Sequence, residues 1–303
     1  MNFVIDPNVS KEAACKTALE TVRILHEKHA SVYMAESVRS CFPESAHIHF
    51  LPEERLLESA DFVIAIGGDG TILRCAGWIL EDAAKRGIKP VKLVGVNTGT
   101  LGFLAAFEAT ELYMLDRLID GNYAISGRML LQAKITGGTQ DGQVFHALND
   151  IYASRLNGRI CDFAVSVDGR QIGVYRADGI VFSTPTGSSA YALSAGGPVM
   201  EPGLLLIEMN LICPHSLFAR PMLFAPQREI RVTYFGVGDG GLNVHADGTH
   251  AAVLHNLQSF TVTKSPRVMP FVDCKGHTFY DALNGKLMEP LKEFPGRVPF
   301  GSD

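Results

Sequence analysis

Apolar and polar positions follow two different rhythms along this chain. In residues 1–125, short apolar runs alternate with stretches whose apolar residues recur every three or four positions. Phe3-Val4-Ile5 is such a run, closed by Asp6-Pro7. Ala14, Ala18, Val22 and Leu25 then share one helical face, which Ser10 is placed to cap. Ser31 to Met34 and Ile48 to Leu51 are shorter strand candidates. Phe62 to Ile66 is continuously apolar, which predicts a strand buried on both faces. Ile72, Ala76, Ile79 and Ala83 follow at helical spacing, and Gly87 ends that helix after Lys85-Arg86. Lys92 to Val96 is another strand. Thr110 is placed to cap a last helix, with Leu112, Leu115 and Leu118 inside and Gly121 at its end. Strands alternating with helices predict a doubly wound parallel sheet, which binds ligands at the C-terminal ends of its strands.

After Gly127 the helical rhythm stops. Leu130 to Ile135 opens a series of short strands, and Phe163 to Val167 and Ile172 to Tyr175 flank the hairpin signal Asp168-Gly169. Apolar residues alternate at Ile230, Val232 and Tyr234 and again at Leu242, Val244 and Ala246; Phe260 and Val262 close the series. Residues 126–270 therefore read as an antiparallel all-β domain. From Thr278 to Leu287 the pattern is helical again, with Phe279, Leu283 and Leu287 on one face. This tail, in 271–303, is expected to leave the β domain and pack back on the α/β domain of 1–125.

Composition narrows the class. The 303 residues are long enough for two well-buried cores. A net charge of −5 argues against a general nucleic-acid binder. The six cysteines contain no C-x-x-C pair, which suits free thiols in a reducing compartment. No signal-peptide pattern is present, and no apolar run approaches the roughly 18 residues of a membrane span. A cytoplasmic, soluble protein is expected.

Candidate chemistry sits where strands end. Gly67-Gly68-Asp69-Gly70-Thr71 joins the central strand to its helix. A glycine-rich turn at a helix N-terminus suits an anion. An acid inside it, Asp69, would repel a phosphate unless it holds a metal or accepts a proton from a hydroxyl that attacks one. The plain alternative is a tight turn with Asp69 as N-cap. Asn149-Asp150 ends an apolar run, which also fits a simple loop. Arg176 to Pro198, RADGIVFSTPTGSSAYALSAGGP, gathers small hydroxyl residues suited to a polyhydroxyl or amide-rich ligand. A capped turn and helix start is its plain alternative. Pro214-His215 and Arg220-Pro221 form a further set, in which His215 is read as structural.

Together these segments resemble the NAD kinase family, bacterial type. The elements are Gly67 to Thr71, Gly95 to Leu104 (GVNTGTLGFL), Asn149-Asp150, Asp178 to Pro198, Pro214-His215 with Arg220-Pro221, and Asp247-Gly248, in the family's order. The glycine loop alone is shared with phosphofructokinases and lipid kinases; its combination with TPTGSSAY is specific. The resemblance implies phosphorylation of NAD at its adenosine 2′-hydroxyl to give NADP, with ATP and a divalent cation, Mg²⁺, as donor. It implies an α/β domain joined to a β-sandwich, the site between them, in a homodimer or homotetramer.

By position in those motifs, Asp69 would be the general base, and Gly68, Gly70 and Thr71 would cradle phosphate. Asp150 would hold the adenosine ribose, and Asn149 and Ser189 would read the adenine with Tyr191 packed nearby. Asp178, Ala190 and Ser194 would contact the nicotinamide side. Thr186 belongs to the same binding segment. Arg159 and Arg176 would lie near the dinucleotide, reaching in from a neighbouring subunit. No protein-held metal site is expected. Three positions depart from the commonest pattern: Asp150 stands for Glu, Ser189 for Thr, and Thr249 for Gln. The competing readings are a lipid or sugar kinase with the same loop, and a non-catalytic dinucleotide sensor. The first lacks a membrane-facing element, and Asp69 with Asn149-Asp150 speaks against the second.

Overall fold

The computed structural model describes every residue except 45–46, 101, 157–159, 217–218, 237–239, 277 and 286–303. The chain begins with β1 (Asn2–Pro7), α1 (Glu12–Glu27), β2 (Ser31–Ala35), β3 (His49–Leu51), α2 (Glu53–Leu56) and β4 (Phe62–Gly67). It continues through α3 (Asp69–Arg86), β5 (Lys92–Asn97), β6 (Phe107–Glu108) and α4 (Leu115–Ile119). The strands lie in the order β5-β4-β1-β2-β3, all parallel. Every position of β4 is buried, as a continuous apolar run requires. Ile72, Ala76 and Ile79 of α3 share a core with Val63, Ala65 and Leu93 of that sheet, and Ala83 is buried too. Gly87 takes φ +64°, and the Ile88 amide returns to the Ala83 carbonyl at 3.0 Å, closing α3 as its sequence predicts.

Both expected hydroxyl caps are replaced. The Ser10 hydroxyl donates to Asn8 Oδ1 at 2.6 Å, and the N-cap of α1 is Lys11, with no side-chain cap. Thr110 lies inside a 3₁₀ stretch, Ala109–Met114, which Glu108 and Glu111 cap reciprocally. A carboxylate is the stronger acceptor for an orphan amide, and here it wins over the nearby hydroxyl.

The second half supplies β7 (Ala124–Thr136), β8 (Val144–Ala147), β9 (Asp150–Arg155), β10 (Cys161–Val167), β11 (Arg170–Ala177) and β12 (Gly179–Ser183). After the short α5 (Tyr191–Ser194) come β13 (Ile207–Ile212), β14 (Met222–Phe224), β15 (Ile230–Phe235), β16 (Leu242–Ala246), β17 (Thr249–Leu254), β18 (Ser259–Asp273) and α6 (Thr278–Leu283). Strands β14-β13-β12-β9-β16-β17 form one antiparallel sheet. Its inner face, with Ile151, Phe182 and Val244, packs on Leu131, Phe163, Val232 and Phe260 of the other sheet. The Phe182 and Phe260 rings meet edge to face at 6.0 Å.

That other sheet is continuous with the parallel strands. β18 pairs antiparallel with β7 and β15, shifts register between Lys264 and Val268, and then runs parallel to β5 with Phe271 opposite Leu93. Pro266 sits in the irregular segment, where a missing N–H costs least. The hydrophobic rhythm gives no sign of this continuity. In α6, Ala282 is buried and the Phe279 ring lies 6.3 Å from that of Phe103. Leu287 falls outside the described residues.

Candidate functional site

The central strand β4 delivers its last residue, Gly67, against Thr71, where a Cβ would sit 2.4 Å from Thr71 Oγ1. Gly68 is the N-cap of α3 and Asp69 its first residue, so Asp69 is not the cap. Its carboxylate accepts the amides of Phe103 at 3.0 Å and Leu104 at 3.2 Å. A Cβ on Gly102 would stand 2.2 Å from Asp69 Oδ1, so glycine is required for this approach. Asn97, buried at the end of β5, stiffens the turn beside it. Its amide donates to Glu108 Oε2 at 2.7 Å and to the Thr100 carbonyl at 3.0 Å, and its oxygen accepts the Gly99 amide at 3.2 Å. Burial raises the Glu108 carboxyl above the usual carboxylate range, against the Asn97 hydrogen bond. A Cβ added at Gly68 or Gly70 meets no atom within 4 Å, which leaves the backbone there open to a ligand. Thr71 is buried, its amide bonded to the Gly68 carbonyl at 2.9 Å.

Asn149 and Asp150 are held by a residue far away in sequence. Asp247 and Gly248 form the tip of the β16–β17 hairpin, both with positive φ. The Asp247 carboxylate accepts the amides of Leu148 at 2.7 Å, Asn149 at 2.8 Å and Asp150 at 3.2 Å. Burial raises the Asp247 carboxyl, and these three donors pull it back down. Asp150 is 5% exposed. Burial, then the Asp247 charge, pushes it up to about 7, against a hydrogen bond from the Tyr191 amide.

The polar segment after β12 closes over the same residues. Thr184 donates its hydroxyl to the Leu148 carbonyl at 2.6 Å and its amide to the Asn149 carbonyl at 2.9 Å. Gly187 passes so near that a Cβ would lie 2.1 Å from the Asn149 oxygen. The Ser188 hydroxyl donates to the Pro185 carbonyl at 2.8 Å and accepts the Met200 amide at 2.9 Å. Asn149 Oδ1 and Thr186 Oγ1 are buried with no hydrogen-bond partner among the described residues. Ser189 and Ala190 are half-buried, whereas Ser194 is exposed at the end of α5. The exposed Tyr191 ring stands edge-on to Tyr152 at 5.0 Å.

The arginine side is organised differently. The Arg176 guanidinium is clamped by both oxygens of Asp162, each at 2.8 Å, and Asp178 pairs with Arg155 at 2.8 Å. Arg159 lies outside the described residues. Leu148, just before Asn149, is buried in one core with Ile72 and Cys75 of α3. That packing brings the residue before Asn149 against the helix that begins at Asp69. A cavity of about 480 Å³ there is lined by Gly70 and Arg74 on one side and Asp247 and Thr249 on the other. Among the described residues, no three His, Cys, Asp or Glu side chains are grouped to hold a metal.

Residues 2–123 match the ATP-NAD kinase N-terminal domain and residues 148–274 the ATP-NAD kinase C-terminal domain. The chain belongs to the NAD kinase family. It is thus an enzyme of a phosphotransferase family. An NAD kinase of Chlorobium phaeobacteroides is 33% identical over 95% of this chain and 97% of its own length. One of Moorella thermoacetica is 33% identical over 93% and 88%. Among solved structures, a yeast NADH kinase complexed with NADH superposes with a TM-score of 0.84 at 24% identity, covering 98% of this chain and 90% of its own. An Archaeoglobus fulgidus NAD kinase in complex with ATP gives 0.69 at 24% identity, over 94% and 98%. These two share the fold of an α/β domain with a parallel sheet and an antiparallel β domain. Sequence reasoning about this NAD kinase family member placed Asp247-Gly248 among its motifs but assigned the carboxylate no task. The Asp-Gly pair between two alternating strands does signal the hairpin tip.

Proposed function

We propose that this enzyme transfers the γ-phosphoryl group of ATP to the adenosine 2′-hydroxyl of NAD, giving NADP, with Asp69 as general base. The observation that carries this reading is the Asp69 carboxylate, fixed by two backbone amides at the mouth of a glycine turn. A ribose hydroxyl is a poor nucleophile, and a fixed carboxylate within hydrogen-bond reach accepts its proton as the new bond forms, a contribution on the order of 10²–10⁴-fold. Asp150, Asn149 and Thr186 offer acceptors to the adenosine half of NAD, and Ser189, Ala190, Tyr191 and Ser194 flank its path. Gly68, Gly70 and Thr71 receive phosphate. Arg159, Arg176 and Asp178 complete the dinucleotide site, the two arginines from a neighbouring subunit of a homodimer or homotetramer.

A divalent cation that arrives on the nucleotide phosphates fits this donor set, since among the described residues no three His, Cys, Asp or Glu side chains are grouped as a cage. When bound, Mg²⁺ supplies charge neutralisation to the transferring group. Six free cysteines support a cytoplasmic setting. The test is purified protein with ATP, Mg²⁺ and NAD, assayed for NADP. Asp69→Asn should keep most of the NAD affinity and lose most of kcat; turnover within a few-fold of the parent would remove Asp69 as the base.

A further inference from the structure

Strand β13 alternates between two environments. Ile207, Met209 and Leu211 belong to the core between the two sheets. Glu208 and Asn210 take the opposite face, yet both are buried, at 0% and 1% exposed. Their cover is α5 and the turn that follows it. The Gly197 amide returns to the Ala192 carbonyl at 2.9 Å, and Gly196 turns the chain there with φ +87°. A Cβ on Gly197 would stand 1.8 Å from Glu208 Oε1 and 2.5 Å from Asn210 Nδ2, so glycine is what lets the turn close over the pair. Inside, Asn210 Nδ2 donates to Glu208 Oε1 at 2.6 Å and to the Ala192 carbonyl at 3.4 Å. Glu208 Oε2 and Asn210 Oδ1 are buried with no hydrogen-bond partner among the described residues. A carboxylate only accepts, so an ionised Glu208 would leave both oxygens unanswered. A protonated carboxyl has an O–H to give, and the amide oxygen beside it needs a donor. Ser183 and Leu223, the cross-strand neighbours of Glu208, carry no charge. Burial raises the Glu208 carboxyl above the usual carboxylate range, and only the Asn210 hydrogen bond opposes it.

We propose that Glu208 and Asn210 form a neutral acid–amide pair, closed by Glu208 Oε2–H donating to Asn210 Oδ1, which fastens α5 to β13 and so sets the Tyr191 amide on Asp150. The proposal rests on the reading of Asp150 and the α5 segment as holders of the dinucleotide, and deepens it. Both are positioning residues, acting through backbone. The path is short. Asn210 holds the Ala192 carbonyl, and the amide one residue earlier, that of Tyr191, donates to the Asp150 carboxylate. Joined at both ends, the pair has no free rotor, which keeps Asn210 Nδ2 aimed at Ala192. Being neutral, it does this in the interior without the cost of a buried charge.

The test compares two variants of the full chain. Glu208→Gln keeps a donor and an acceptor at the same atoms and removes the titrating group. The double variant Glu208→Leu with Asn210→Leu removes both partners and leaves no orphan, which favours a folded protein. At neutral pH the infrared difference between parent and Glu208→Gln should carry the carbonyl stretch of a protonated carboxylic acid. Hydrogen exchange of the 191–197 amides should match the parent in Glu208→Gln and run roughly fivefold faster in the double variant. KM for NAD should stay within about twofold of the parent in Glu208→Gln and rise roughly fivefold in the double variant, with KM for ATP within about twofold in both. A carboxylate stretch in the difference spectrum would overturn the pair, and this arm decides even where the double variant does not fold. Glu208→Gln behaving like the double variant would also overturn it, since the charge would then be what matters. Parent-like exchange at 191–197, or an unchanged KM for NAD, in the double variant would overturn the positioning role. If spectrum and exchange behave as expected but the parent forms no NADP, the pair stands and the acceptor reading fails.

Discussion

Replacing Asp150 by asparagine should stabilise the protein, and the gain should grow with pH. Asp150 is buried beside Asp247, and its carboxyl is pushed up to about 7 from 3.8. In the unfolded chain it titrates at its ordinary value. Between those two values the folded state holds a proton that the unfolded state has released, so rising pH weakens folding across that window. The contribution is fully present below about 4 and lost once pH has passed about 7. About three pH units at roughly 1.4 kcal/mol each put the full cost of the buried charge on the order of 4 kcal/mol. Asparagine has no charge to desolvate and keeps an oxygen for the Tyr191 amide. From pH 5.5 to pH 8 its advantage over the parent should widen by about 2 kcal/mol. With an unfolding entropy of roughly 0.6 kcal/mol/K for a chain of this length, that is about 3 °C in Tm. The assay is thermal unfolding of both proteins without ligands, in matched buffers from pH 5.5 to 8. Titrating groups remote from Asp150 cancel in the difference, whereas Asp247, whose charge acts on Asp150, does not. A Tm gap that stays constant, or narrows as pH rises, would refute the reasoning. The same variant should bind NAD less tightly and turn it over more slowly, the usual exchange of stability for function.

Two further outcomes test the supports of the site. Gly102→Ala should keep the fold and lower kcat at least tenfold, because a Cβ would lie 2.2 Å from Asp69 Oδ1 and must displace the proposed base; steady-state kinetics at saturating substrates decide it. Asp247→Ala leaves the amides of Leu148, Asn149 and Asp150 without their acceptor, at roughly 1–3 kcal/mol for each that stays buried; calorimetric titration with NAD should show the affinity falling more than tenfold, and an unchanged Kd would mean the segment is held by something else.

What the sequence revealed, and what it hid, divides by range of interaction. The strand, turn and helix of 60–87 were legible because their signals are local: an apolar run, glycines, then a 3.6-residue rhythm ended by Gly87. The same holds for the hairpin at Asp168-Gly169, where φ is positive at both residues. The capping of α1 failed to follow Ser10 because that hydroxyl had a nearer acceptor in Asn8. The hold of Phe103 and Leu104 on Asp69 spans about 35 residues, and that of Asp247 on Asn149 about 100. No local pattern encodes such contacts; they follow only once the sheets are stacked. For the same reason Asp69 could be read as a cap or as a base from sequence, and only its place one residue inside the helix removes the first choice.

The register of β18 has a consequence for synthesis. Leu93 in β5 finds its neighbour in Phe271, almost 180 residues later. While the chain emerges from the ribosome, that end of β5 is therefore an open sheet edge until residue 271 has been made. Open edges invite pairing with other chains, and contacts of such long separation form slowly. The nascent α/β half should thus be competent to aggregate, or to be held by chaperones, until that strand has been made. Locking would come late and in one step, when the strand that completes the sandwich also seals the parallel sheet.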